Sequence, residues 1–211
     1  ISAAASLAIV ICFLAGASGT ATFTLATRLL SPTLAVPHAA AAFGLAFLIA
    51  PSGYIARLLS PWLTGWNEPP DLLIVNDKGG IAMVAGLIIK EVPFLLLMSL
   101  AALPALDPGR RVAVARSLGY GRVKAFVVTV APALYRSIRL PVLAVAAYAT
   151  SVVDVAMVLG PANPPPLSVA IVKWMADPDL QRRFMASAGA ILQIIVTAAA
   201  LGLWLIGERL A

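Results

Sequence analysis

Residues 184–206 read FMASAGAILQIIVTAAALGLWLI, and no charged side chain follows until Glu208. A helix rises about 1.5 Å per residue, so about 20 apolar residues cross the roughly 30 Å hydrocarbon core of a bilayer. This run is long enough. Four other stretches share its texture: Ile1 to Ala26, ending at Arg28; Leu34 to Ile55, ending at Arg57; Gly79 to Leu103, broken by Lys90 and Glu91; and Ile138 to Leu159, with Arg139 at its mouth and Asp154 inside. The sequence therefore reads as an all-α integral membrane protein with five transmembrane helices.

Composition excludes the other broad classes. Of 211 residues, 61% are hydrophobic and 11% charged, against roughly 45–50% and 25% in a soluble domain. So few charges cannot coat a water-facing surface, which rules out a soluble globule or a disordered chain. Cys12 is the sole cysteine and forms no intrachain disulfide. A net charge of +6 would suit nucleic acid, but the basic residues sit between apolar runs, where they set membrane orientation. No nucleic-acid partner is expected. The first run lacks a basic leader and is too long for a signal peptide, so it reads as a span. A chain starting at Ile1 reads as a fragment, or one half, of a longer protein, with 1–211 forming a single transmembrane domain.

The connections differ in charge. Asp107 to Arg139 carries Arg110, Arg111, Arg116, Arg122, Lys124, Arg136 and Arg139, seven of the fifteen basic residues. Basic loops stay in the cytoplasm, which puts 107–139 inside and, by alternation, 57–78 and 161–183 outside. Pro61, Pro69-Pro70 and Pro164-Pro165-Pro166 forbid continuous helix in the outer segments. Leu167 to Met175 reads as a short helix at the outer surface, and Trp62, Trp66, Trp174 and Trp204 lie near span ends, as an interfacial belt requires. The small residues of 15–20 and 39–42 let helices approach closely.

The basic loop has its own pattern, AVARSLGYGRVKAFVVTVAP at 113–132. Asp107 is placed to cap a helix that begins at Pro108, and Val112, Ala115 and Leu118 keep helical spacing. Gly119 and Gly121 end that helix in a tight turn, with close backbone approach expected at Gly119. A second helical stretch runs from Arg122 to Val130. The product is a basic helix–turn–helix.

That spacing resembles the EAA loop of permease subunits in binding-protein-dependent ABC importers: Glu-Ala-Ala, three residues, Gly, nine residues, Ile, one residue, Leu-Pro. Ala115, Gly119 and Pro132 fall at its intervals, and Arg122 and Phe126 hold places commonly basic and aromatic. Ala113 stands where the family has Glu, Val114 where it has Ala, Thr129 where it has Ile and Ala131 where it has Leu. The segments 151–160 and 165–171 are similar to those following the loop in sulfate, molybdate, iron and thiamine type permeases. The resemblance implies a non-catalytic, multi-pass permease of the bacterial cytoplasmic (inner) membrane, with no cofactor and no metal. Ala115, Arg116, Ser117, Leu118, Gly119, Tyr120, Gly121, Arg122 and Pro132 would form the loop that docks on a cytoplasmic ABC ATPase dimer. A second permease half and a periplasmic or extracellular binding protein would complete the assembly, within membrane lipid.

Three in-span charges remain. An unpaired Lys or Asp at a helix centre costs about 2.5–3.5 kcal/mol on insertion scales, so such groups face a bundle interior or a wet cavity. Lys90, Glu91 and Asp154 are therefore candidates for the transport pathway. Lys90 and Glu91 point about 100° apart on a helix and do not pair with each other. His38, the sole histidine, has no second ligand for a metal. Intramembrane carboxylates would also serve an ion-coupled secondary transporter, the rival reading.

The charge pattern makes a topology prediction. A cysteine introduced at Tyr120 should resist an impermeant thiol reagent in intact cells, and one at Asn67 should label. Labelling of position 120 from outside would reverse the orientation.

Overall fold

The computed structural model describes residues 1–17 and 20–210. It is 75% helix, with no strand among the described residues. Helices α1 (Ser2–Gly16) and α2 (Thr20–Ala35) are followed by α3 (His38–Ile49) and α4 (Tyr54–Leu59). After an irregular segment come α5 (Ile81–Ala102), a 3-10 turn (Leu103–Leu106), α6 (Pro108–Ser117), α7 (Arg122–Thr129), α8 (Ala131–Ser151), α9 (Asp154–Leu159), α10 (Leu167–Met175) and α11 (Arg182–Leu210). The chain divides into two compact units. Unit 1 comprises 1–36 and 88–146, and unit 2 comprises 37–87 and 147–211.

The elements start and stop for local reasons. Val36 precedes Pro37, a position disfavoured for helix, and α2 ends there. Pro51 withdraws a donor between α3 and α4. At Gly53 a Cβ would lie 2.5 Å from the Phe47 carbonyl oxygen, so only glycine fits that turn. Asp77 begins α5: its Oδ1 accepts from the Ala82 amide and its Oδ2 from the Ile81 amide, each at 2.9 Å. Those amides hold the Asp77 carboxyl below the usual carboxylate range. Asp107 caps α6, its side chain accepting from the Arg110 amide at 3.4 Å, with Pro108 in the first turn.

In unit 2 the core joins Ala42 of α3, Ala82 and Leu87 of α5, Val155, Ala156 and Leu159 of α9, and Val169 of α10. In unit 1, Val10 and Leu14 of α1, Leu95 of α5, Ala125 and Phe126 of α7, and Leu134, Ile138 and Val142 of α8 are buried. Most of α11 is not: Phe184, Ile194 and Leu203 are 80%, 69% and 70% exposed, as in a helix that faces hydrocarbon or another subunit.

The span count differs from the five read in sequence. Among the described residues, His38–Leu59, Ile81–Leu106 and Arg182–Leu210 are long and apolar enough to cross a membrane. The pair α7 and α8, bent by 53°, makes a fourth if it is one span. The apolar run 1–26 does not form one helix. It divides at Ala17, whose backbone is extended, and Ser18 and Gly19 lie outside the described residues. The run 34–55 becomes α3 and α4, shifted toward the C-terminus. The fourth run starts earlier, at Ala131, so Arg136 and Arg139 belong to α8 rather than to a loop, and it breaks after Ser151. Apolar residues flank each break, so an apolar count passes over them. Leu167–Met175 is the expected short helix.

Close packing of α10 on α11 depends on Gly189, where a Cβ would meet Ile171 Cγ1 at 3.0 Å and Trp174 Cζ3 at 3.1 Å. Gly202, also in α11, has nothing within 4 Å. Gly189→Leu should therefore destabilise the detergent-solubilised protein by about 1–3 kcal/mol. Gly202→Leu should leave its thermal midpoint within the error of the measurement.

Candidate functional site

The stretch from Pro108 to Thr129 forms two helices packed on each other, α6 and α7, around a defined turn. The Tyr120 amide donates to the Ala115 carbonyl at 3.3 Å, and the Gly119 amide to the Arg116 carbonyl at 3.0 Å. These are the paired bonds of a Schellman ending, which requires a left-handed residue. Gly119 supplies it at φ +89°. No other atom lies within 4 Å of where its Cβ would be. Within the chain the need for glycine therefore comes from the dihedral alone. Gly121 precedes α7 with an ordinary extended backbone.

The pair has two faces. Ala115, Ala125 and Phe126 are buried, and α7 packs on α1. Arg122 Nη2 donates to the Ala17 carbonyl at 2.8 Å, tying the start of α7 to the end of α1. Outward lie Val114, Leu118, Tyr120 and Val123, with Leu118 74% exposed. Lys124 stands 5.2 Å above the Tyr120 ring, a cation–π distance. Ser117 Oγ turns back to the Val114 carbonyl. Arg116 is exposed, and Pro132 lies in the first turn of α8. No acid occurs from 108 to 153, so the five basic residues of α6 and α7 are uncompensated locally.

The in-span charges have separate fates. Lys90 and Glu91 are 6% and 5% exposed. Lys90 Nζ donates to the Thr33 carbonyl at 2.6 Å, in the last turn of α2, and to the Val36 carbonyl at 2.7 Å, just beyond it. A cation at a helix C-terminus meets both unpaired oxygens and the negative end of the dipole. Glu91 accepts from Ser2 Oγ at 2.9 Å and Ser6 Oγ at 2.7 Å, one turn apart on α1. The two residues thus face different neighbours, as their angular separation requires, and both have partners inside unit 1. The start of α1 and the end of α2 meet the same turn of α5, so the segment turns back on itself. A straight first span through 1–26 is not compatible with that contact.

Asp154 is half-buried in unit 2, beside the break between α8 and α9. Tyr148 donates its hydroxyl to Asp154 Oδ1 at 3.3 Å, and the His38 ring lies 4.9 Å from the Tyr148 ring. The carbonyls freed at the break have side-chain donors: Gln193 Nε2 reaches Thr150 at 2.8 Å, and Ser168 Oγ reaches Val152 at 2.7 Å. Thr150 and Thr197 hydroxyls also meet at 3.0 Å. Sequence reasoning missed Ser2, Ser6, Tyr148, Ser168 and Gln193. The spacing of Ser2 and Ser6, one turn apart, was a signal; the others carried none, because their partners are far away in the chain. Among the described residues no cluster of His, Cys, Asp and Glu could hold a metal ion.

Lys90→Met leaves two partly buried carbonyls without their donor and should cost about 1–3 kcal/mol. The double variant with Glu91→Gln should melt below either single variant, because the two charges hold different helices. Recovery of stability in the double variant would mean that they act as a pair.

No protein-family model matches the chain. The chain is similar to the inner membrane ABC transporter permease protein YnjC of Escherichia coli (strain K12), at 32% identity over 166 residues. The match takes in 79% of this chain and 30% of the relative, so the chain spans less than a third of that protein's length. With several apolar helices able to span a bilayer, the chain belongs by this match to the inner-membrane permeases of ABC transporters.

Proposed function

We propose that the chain is a non-catalytic part of an ATP-driven importer's permease, lining the path of the transported molecule and receiving the push of a cytoplasmic ATPase through α6 and α7. The observation that carries this reading is the α6–α7 pair itself. A Schellman turn fixes its outline, buried Ala125 and Phe126 and the Arg122 bond anchor it, and an apolar and basic outer face is left for a partner. A rigid two-helix unit transmits displacement better than a loose loop, and its charge suits an acidic surface. The docking residues are Ala115 to Arg122, and Pro132 marks where the chain turns into α8. The loop would lie in the cytoplasm. A second permease half would cover exposed apolar faces such as that of α11, and a binding protein would deliver substrate from outside.

For the pathway, Asp154 is the stronger candidate. It stands at a broken helix, half-exposed, and discontinuous helices form the substrate sites of many transporters. Lys90 and Glu91 lie nearby in neither chemistry nor exposure: their hydrogen bonds are spent on α1 and α2. That removes Glu91 as the open carboxylate an ion-coupled carrier would need, and leaves Asp154.

Leu118→Asp places a charge on the exposed face without disturbing the interior, and Gly119→Asp strains the turn. Both variants should reach the membrane at normal levels and lose at least tenfold of any ATPase that co-purifies with the native protein. Retention of the ATPase by Leu118→Asp would exclude this face as its dock. Absence of any ATPase from the native complex would defeat the importer reading.

A further inference from the structure

Unit 1 holds a cavity of about 910 Å³ beside the α6–α7 pair, and its lining shares Arg116 and Arg122 with the proposed docking segment. Its wall is formed by Leu14 of α1, Leu97 and Leu100 of α5, and Phe126 of α7, with Arg116 of α6 and Arg122 of α7 also on the lining. The volume is that of a small-molecule site. The lining combines a long apolar surface with two guanidinium groups and no carboxylate.

We propose that this cavity binds an anionic phospholipid, with an acyl chain against Leu14, Leu97, Leu100 and Phe126 and the headgroup phosphate on Arg116 and Arg122. Three observations select this occupant. Arg122 spends one bond on the Ala17 carbonyl, and a guanidinium has five N–H donors, so four remain for an anion. Arg–phosphate pairs are frequently bidentate. The charge around the site is one-sided, since no acid occurs from 108 to 153 and Arg110, Arg111 and Lys124 stand on the same two helices. Depth agrees as well. Leu97 and Leu100 lie about 10–15 Å along α5 from Lys90, near its middle, which is the distance from the centre of a bilayer to its headgroups. A soluble phosphate would satisfy the arginines but leave the apolar wall uncovered; a neutral lipid would cover the wall without engaging the arginines. Basic pockets between membrane helices take anionic headgroups in this way. The proposal rests on the chain being embedded in a membrane and does not require an ATPase on α6.

Native mass spectrometry of the protein purified with the subunits it retains tests this, with phosphatidylglycerol and phosphatidylethanolamine of identical chains added in detergent. Phosphatidylglycerol should bind preferentially, at one site per chain. Arg116→Gln should weaken it about tenfold, the size of one charged hydrogen bond, while Arg116→Lys keeps most of the affinity. Ala101→Phe, which fills the cavity wall at an exposed residue, should abolish the adduct at an unchanged thermal midpoint. Equal binding of the two lipids, full binding by Arg116→Gln, or displacement of the lipid by millimolar inorganic phosphate would each overturn the proposal. Loss of the ATPase in the same preparations leaves the lipid result readable, so the two readings fail separately.

Discussion

A backbone carbonyl in hydrocarbon has no water to fall back on, and this chain repeatedly breaks its helices where carbonyls are released. Several of these breaks are closed by a side-chain donor. In unit 1, Lys90 takes the Thr33 and Val36 oxygens at the end of α2, Arg122 takes Ala17 at the end of α1, and Arg111 Nε takes Leu106 at the end of the 3-10 turn. In unit 2, Arg57 Nε meets Ser52 between α3 and α4, Gln193 and Ser168 serve the α8–α9 break, and Asn76 Nδ2 reaches Val158 and Gly160 at the end of α9. Among the described residues no buried side-chain nitrogen or oxygen is left without a partner.

This constraint changes what an intramembrane charge signifies. The insertion cost of a lone lysine makes function the first hypothesis for it, yet the cost falls when the ammonium replaces the missing donors of a helix end. Lys90 does that. Glu91, next in sequence, turns to the serine hydroxyls of α1, so one turn of α5 holds two neighbouring helices by opposite chemistry. Asp154 differs because its one described side-chain partner is a tyrosine hydroxyl at 3.3 Å and the residue is half-exposed. Burial and partners, rather than the presence of charge, separate structural from pathway candidates.

The same distinction explains what the sequence disclosed. Local signals were readable: the Asp107 cap, Pro108 in the first turn, the Gly119 turn, and the extent of α10 and of most of α5 and α11 all follow from residues within a few positions. The breaks in the first, second and fourth apolar runs were not. Apolar residues flank each of them, and the side-chain donor that closes a break lies up to 105 positions away, as with Arg122 and Ala17. Pro51 and Gly53 were visible warnings within the second run; in the fourth, Val152 and Val153 gave none. For the site, residue identity suggested where charge might act, but only the neighbours decided whether it was already occupied.

Under the proposed coupling, Arg122 would serve closure of the backbone and transmission at once. Its position commonly carries a basic residue in the family that the loop resembles, and here the guanidinium reaches the final carbonyl of α1. A push on α6 and α7 would then reach α1 through that bond and through the buried surface of α7, without needing a flexible relay. Buried packing resists compression, so a displaced α7 carries its neighbours or loses contacts outright. The Schellman turn matters for the same reason: a loose turn would let α6 move while α7 stayed. On that proposal, the carbonyl ending α1 would be both the point where the helix stops and the point where force enters it.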